Sequence, residues 1–167
     1  AKVKQIDADV SNGYFTSVLA NNGKIYCPPG RGEAAKGSIL VIDPKTNTFD
    51  SISCWYESDA DGNGYYTSVL ANNGKIYCAP HYAKRVLVID PTGKETKVKF
   101  IGPNLPILEM ERPDMSQGYY KYVSSVYADP TKGGNGKIYA IPYGVEEKAN
   151  QVLEIDPNTD SVSLIGP

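Results

Sequence analysis

An all-β fold is the expectation from three features of the sequence. Helical periodicity is interrupted throughout: the 167 residues include 16 Gly and 12 Pro, and Gly, Pro or Asn-Gly breaks nearly every window in which a long helix could form. A phrase of identical residues, TSVLANNGKIYC, fills 16–27 and recurs at 67–78, so the chain is internally repeated. Each copy is followed by an apolar phrase ending in Asp-Pro and then by a short, loosely alternating segment, the pattern of paired strands joined by turns.

The elements can be placed in order. The third copy is weaker and runs SSVYADPTKGGNGKIYA, from Ser124 to Ala140. The Asp-Pro phrases are Ile39 to Pro44, Val86 to Pro91 and Val152 to Pro157, and the closing segments are FDSIS at 49–53, VKFIG at 98–102 and VSLIG at 162–166. Each repeat therefore reads as four antiparallel strands, which in the first copy are a (Tyr14 to Ala20), b (Lys24 to Cys27), c (Ile39 to Ile42) and d (Phe49 to Ser53). Asn22-Gly23 and Asn73-Gly74 predict two-residue type I′ hairpins between a and b, with both residues at positive φ. Asp-Pro followed by polar residues predicts the c–d turn. Strand c is apolar on both faces, as a strand held between two neighbouring sheets would be, and strand d carries polar residues on one side. VKQID at 3–7 matches the closing segment and predicts one further outer strand near the start of the chain.

Small four-stranded sheets repeated at this period predict the blades of a β-propeller. The expected division is an extra outer strand within 1–13 and blades at 14–53, 65–102 and 122–167, with a two-sheet sandwich as the alternative. Three blades do not close a ring, so the expectation is an incomplete ring or a segment of a larger propeller. At the strand-c position of Val41 and Val88 the third repeat has Glu154, which predicts that this face meets solvent or a polar partner, or else that the carboxylate is paired within an ordinary interface.

The wording NGKIY, VLVIDP and IG resembles the repeats of the NHL, YVTN and SMP-30-like group of propellers, and of Kelch-type arrays. The resemblance covers nearly the whole chain and implies the propeller fold. It implies little about activity, because propellers host many unrelated functions. The metal-ringed channel of the SMP-30-like enzymes would need Glu, Asp and Asn at the mouths of strand a, where this chain has Tyr, Thr and Ser.

Composition narrows the functional classes. The net charge is −2, which argues against charge-driven binding of nucleic acid. No apolar run approaches the length of a membrane-spanning helix. The chain starts at Ala1 with neither an initiator Met nor a signal-peptide pattern, which suggests a processed chain or a piece of one without fixing its compartment. Three Cys cannot all be paired within one chain; Cys27 and Cys78 are repeat-equivalents expected to lie too far apart, and Cys54 could reach one of them.

The candidate site is the rim carrying the d–a and b–c loops, which vary between repeats while the opposite turns do not. Tyr14, Tyr65 and Tyr122 share one position at the mouth of strand a, Tyr82 and Tyr143 fall in b–c loops, and His81 and Arg85 accompany Tyr82. Exposed tyrosines suit a protein or glycan surface; the structural alternative for Tyr14, Tyr65 and Tyr122 is packing between blades. Asp59, Asp61 and Asn63, followed by Gly64, match the first half of a Ca²⁺ loop, but the twelfth position is Leu70 and a strand follows, so ordinary turn chemistry is the competing reading. No catalytic motif is present, and a lone loop histidine is a weak base candidate. The leading expectation is a non-catalytic interaction or structural module without a cofactor. The alternatives are a metal-dependent lactonase or lyase, and an assembly subunit whose open ring is completed by another chain.

Overall fold

The structure is a computed structural model that describes residues 13–30, 37–55, 64–105, 121–143 and 151–166. It is all-β, with three antiparallel four-stranded sheets. Sheet 1 is β1 (Val18–Leu19), β2 (Ile25–Cys27), β3 (Gly37–Asp43) and β4 (Thr48–Cys54). Sheet 2 is β5 (Val69–Leu70), β6 (Ile76–Cys78), β7 (Val86–Asp90) and β8 (Lys97–Ile101). Sheet 3 is β9 (Tyr122–Tyr127), β10 (Ile138–Pro142), β11 (Val152–Asp156) and β12 (Ser161–Ile165), with one 3₁₀ turn at Pro130–Lys132. Each sheet is ordered as the chain runs. The extra strand expected near Val3 lies outside the described residues.

The first hairpins differ from expectation. Gly23 and Gly74 are left-handed, at φ 81° and 77°, but neither Asn22 nor Asn73 has positive φ. The glycine N–H donates to the carbonyl of Ala20 or Ala71, and Ala20 and Ala71 donate in turn to Lys24 and Lys75. This is a three-residue loop closed by a glycine bulge, the commonest alternative to type I′. The asparagine side chain explains the choice: Asn22 Oδ1 accepts the Lys24 N–H at 3.0 Å, and Asn73 does the same for Lys75. Such local Asx bonding stabilises the turn without a left-handed asparagine. In the c–d turns, Asp43, Asp90 and Asp156 each accept the N–H two residues on.

Register defines two rows across each sheet. The back row of sheet 2 is Leu70, Ile76, Ile89 and Val98, and that of sheet 3 is Tyr127, Ile138, Ile155 and Val162. Each back row packs toward the preceding sheet. The front rows are Val18, Tyr26, Val41 and Asp50 in sheet 1, and Val69, Tyr77, Val88 and Lys99 in sheet 2. One core joins Tyr26, Ile39 and Val41 to Ile76, Leu87 and Ile89; the other joins Tyr77, Val86 and Val88 to Ile138, Leu153 and Ile155. Sheet 2 is thus covered on both sides, and Val86, Leu87, Val88 and Ile89 of β7 are all inaccessible. The two-sided apolar pattern of strand c follows from that sandwiching. In β11 burial alternates, with Leu153 and Ile155 buried and Val152 and Glu154 only partly so.

The inner strands lie side by side. Thr16 Oγ1 meets Ser68 Oγ at 2.8 Å, and Thr67 Oγ1 meets Ser125 Oγ at 2.6 Å, so one position bonds the next across both junctions. β1 and β5 are only two residues long, shorter than expected, and backbone bonds just before β5 and at the start of β9 tie each sheet to the one before it. Gly64 and Tyr65 donate their N–H groups to the carbonyls of Gly30 and Pro29, and Lys121 and Tyr122 donate to those of His81 and Pro80.

Candidate functional site

That backbone zipper decides where the rim tyrosines go. Tyr65, Tyr82 and Tyr122 are buried: Tyr65 and Tyr122 take the packing alternative, and Tyr82 departs from the exposed surface expected of its loop. Tyr65 belongs to the core between sheets 1 and 2, and Tyr122 to the core between sheets 2 and 3. The Tyr65 hydroxyl donates to the Arg85 carbonyl at 3.1 Å. Burial pushes the Tyr122 hydroxyl up to about 12. Tyr14 is half-buried, with its hydroxyl 3.3 Å from Ser38 Oγ. Arg85 holds the end of β8: its Nε donates to the Gly102 carbonyl at 3.0 Å and a terminal nitrogen to Phe100 at 3.1 Å. Of the rim residues singled out from sequence, Tyr143 keeps an exposed ring and Arg85 is exposed while occupied with β8. Asp59, Asp61 and Asn63 lie outside the described residues.

His81 is a packing residue. It is buried between Tyr66, whose ring centroid is 3.8 Å away, and the edge of Tyr82 at 4.9 Å. Its Nδ1 donates to the Tyr122 carbonyl at 3.1 Å. Burial, with a smaller contribution from the Lys121 cation, lowers its pKa to about 4 despite that bond, so the ring is neutral at physiological pH. Lys121 is itself buried and donates from Nζ to the Ala83 carbonyl at 3.1 Å.

The structure brings together aromatic side chains that the sequence reading did not single out. Phe15 stacks on Tyr66 with centroids 4.0 Å apart, and Tyr66 continues onto His81. Phe15 and Tyr66 follow Tyr14 and Tyr65 in the repeat, so the signal was available in the alignment of the copies. Gly30 makes room for the stack, since a Cβ there would lie 2.3 Å from the Phe15 ring. Phe15 is 48% exposed, Tyr143 49% and Trp55 64%. All three sit on one rim, before β1, after β10 and after β4. Aromatic faces of this kind supply contact area.

The opposite rim carries a repeated polar latch. Asn22, Asn73 and Asn135 each donate from Nδ2 to the hydroxyl of the tyrosine four residues on, Tyr26, Tyr77 and Tyr139. The first two hydroxyls then reach the next sheet. Tyr26 meets Thr96 Oγ1 at 3.1 Å, and Tyr77 donates to Asp160 Oδ1 at 2.9 Å. Asp160 also takes the Lys99 ammonium, with Lys75 at 3.9 Å. Partial burial pushes its carboxyl up, but these partners outweigh it and hold the group below the usual range. At the third latch the carboxylate comes from within the sheet: Glu154 accepts from Lys137 Nζ at 2.8 Å and from Tyr139 at 3.1 Å. The Lys137 bond is the main cause of the lowered Glu154 pKa.

Cys27, Cys54 and Cys78 are free and buried. Burial pushes the Cys54 thiol up to about 12 and Cys78 well above its ordinary value. No helix among the described residues is long and apolar enough to cross a membrane. Comparison with protein-family models, with curated proteins and with solved structures finds no match to this chain.

Proposed function

We propose that the three sheets are consecutive blades of a β-propeller and that the chain is a non-catalytic module binding a protein partner through its aromatic rim. The blade reading is supported by the inner strands bonded side by side, by the same two rows buried at both junctions, and by the resemblance of the repeated phrases to propeller arrays. The observation that carries the binding reading is the trio Phe15, Trp55 and Tyr143, large exposed aromatics on a single rim whose loops differ in every repeat. Aromatic residues are enriched at protein interfaces, and variable loops on a rigid scaffold are the usual carriers of recognition. The near-identical NNG and Asp-Pro turns of the other rim offer little basis for discrimination.

A photo-crosslinking amino acid placed at Phe15 or Tyr143 should capture one partner of defined mass, and the same probe at Asn21 or Asn72 should not. Equal capture from both rims overturns the assignment. Binding to an immobilised glycan that is lost in Trp55→Ala would replace the protein partner with a carbohydrate.

A further inference from the structure

Both junctions in the chain are built from the same parts, and each part has one copy left facing outward. The back row of sheet 1 is Leu19, Ile25, Ile42 and Phe49, an apolar row crossing all four strands. Its equivalents in sheets 2 and 3 are covered by the preceding sheet, whereas Leu19 is 60% exposed and Phe49 is exposed as well. The front row of sheet 3 is Val126, Tyr139, Glu154 and Ser163. Val126 is 57% exposed, and Tyr139 is only half-buried where Tyr26 and Tyr77 are fully buried. Among the described residues, every exposed large hydrophobic side chain belongs to sheets 1 and 3 or their flanks, and none to sheet 2.

We infer that the front face of sheet 3 receives the back face of sheet 1 from a second copy of this chain, closing a six-bladed ring from two molecules. The inference rests on the blade reading above. Continuity with the existing junctions sets the contacts: Ser124 stands where Thr16 and Thr67 stand and would meet Ser17 of the second copy, the equivalent of Ser68 and Ser125. Propellers close at roughly four to eight blades, and six is the only multiple of three in that range.

Charge complementarity favours this occupant. At the junction of sheets 2 and 3 the receiving strand offers Val88 and the incoming turn brings the carboxylate of Asp160 to Tyr77 and Lys75. At the outward face the receiving strand already carries a carboxylate, Glu154, on Tyr139 and Lys137. The incoming turn of sheet 1 has neutral Asn47 at the position of Asp160, and both residues hold φ 56°. Beyond the aspartate of its own c–d turn, Asp90 or Asp156, each of these two latches then contains one carboxylate, supplied from opposite sides. An Asp in place of Asn47 would set like charges together across the junction.

The test is sedimentation of the full chain over a concentration series. A dimer is expected, with a dissociation constant raised roughly tenfold or more in Asn47→Asp by repulsion from Glu154. Asp160 shows that Asp tolerates this backbone conformation, so the variant should fold. Adding Glu154→Val rebuilds the pairing of Val88 with Asp160 and should return the constant toward wild type. A dimer indifferent to Asn47→Asp overturns the docking geometry, and an open series of larger species overturns closure. A chain monomeric at every concentration, in which Tyr77→Phe still lowers stability, overturns the second copy and leaves the stacked sheets standing. If Tyr77→Phe also changes nothing, the blade reading falls with it.

Discussion

Tyr77 and Asp160 meet across the junction of sheets 2 and 3 at 2.9 Å, although they are 83 residues apart in the chain. The tyrosine is inaccessible and its hydroxyl also contacts the Pro157 carbonyl at 3.3 Å. Burial first, and then the bond to Asp160, keeps that hydroxyl protonated far above its ordinary range. Tyr77→Phe should therefore destabilise the chain by about 1–2 kcal/mol in urea unfolding, because Asp160 loses a buried donor. Tyr139→Phe, at the half-buried outer latch, should have a smaller effect.

The two hairpin glycines should respond unequally to a methyl group. Both are left-handed, so Gly23→Ala and Gly74→Ala should each cost on the order of 1 kcal/mol for the backbone alone. At Gly23 the new Cβ would meet only the end of the Lys45 side chain at 3.8 Å. At Gly74 it would lie 2.8 Å from Thr92 Cγ2. Thermal unfolding should place Gly74→Ala clearly below Gly23→Ala.

Stability should fall with pH through the His81 range. The folded-state pKa is lowered from 6.5 to about 4, so the unfolded chain binds the proton more readily between those values. Stability attributable to neutral His81 is complete above about pH 6.5 and is lost as the pH falls toward 4, by on the order of 3 kcal/mol in all. His81→Gln should flatten the urea-midpoint profile in this window. A slope there equal to that of the wild type would mean that other groups carry it.

The thiols should be silent in the folded protein. All three are buried, and Cys54 and Cys78 are strongly shifted away from thiolate at neutral pH. A thiol-reactive chromophore should label none of them until denaturant is added and then label all three. Rapid native labelling of Cys54 would show that the end of β4 opens.

The repeated phrases made the strands and their order legible, because NNGKIY and IDP carry both the hairpin chemistry and the alternation. The register of the first hairpins was not: a two-residue Asn-Gly loop would pair Ala20 with Ile25, whereas the three-residue loop pairs Leu19 with Ile25 and Leu70 with Ile76. Glu154 stood out because a carboxylate replaced Val41 and Val88; it lies on an outward face, as one of the two expectations had it, and the sequence did not name its partner, Lys137. Packing between sheets was one of two readings for Tyr65 and Tyr122, and their shared place in the repeat did not decide between them. Their burial depends on N–H groups bonding to Pro29 and Pro80 in the preceding repeat, a pairing between segments that no local pattern encodes. Phe15 was legible as an aromatic matched by Tyr66 in the next copy, but its stacking was not, because that depends on the absent side chain of Gly30.

The double covering of β7 governs how the molecule comes apart. A strand buried by a sheet on either side exchanges its amide hydrogens only when a neighbour has departed, so the slowest exchange should fall at Val86 to Ile89. Within a single chain, sheets 1 and 3 are each packed on one side only among the described residues and can peel away singly, as end units of a linear array do. Unfolding then proceeds from both ends toward the middle, and the central repeat on its own, stripped of both cores, has no reason to persist as a folded unit.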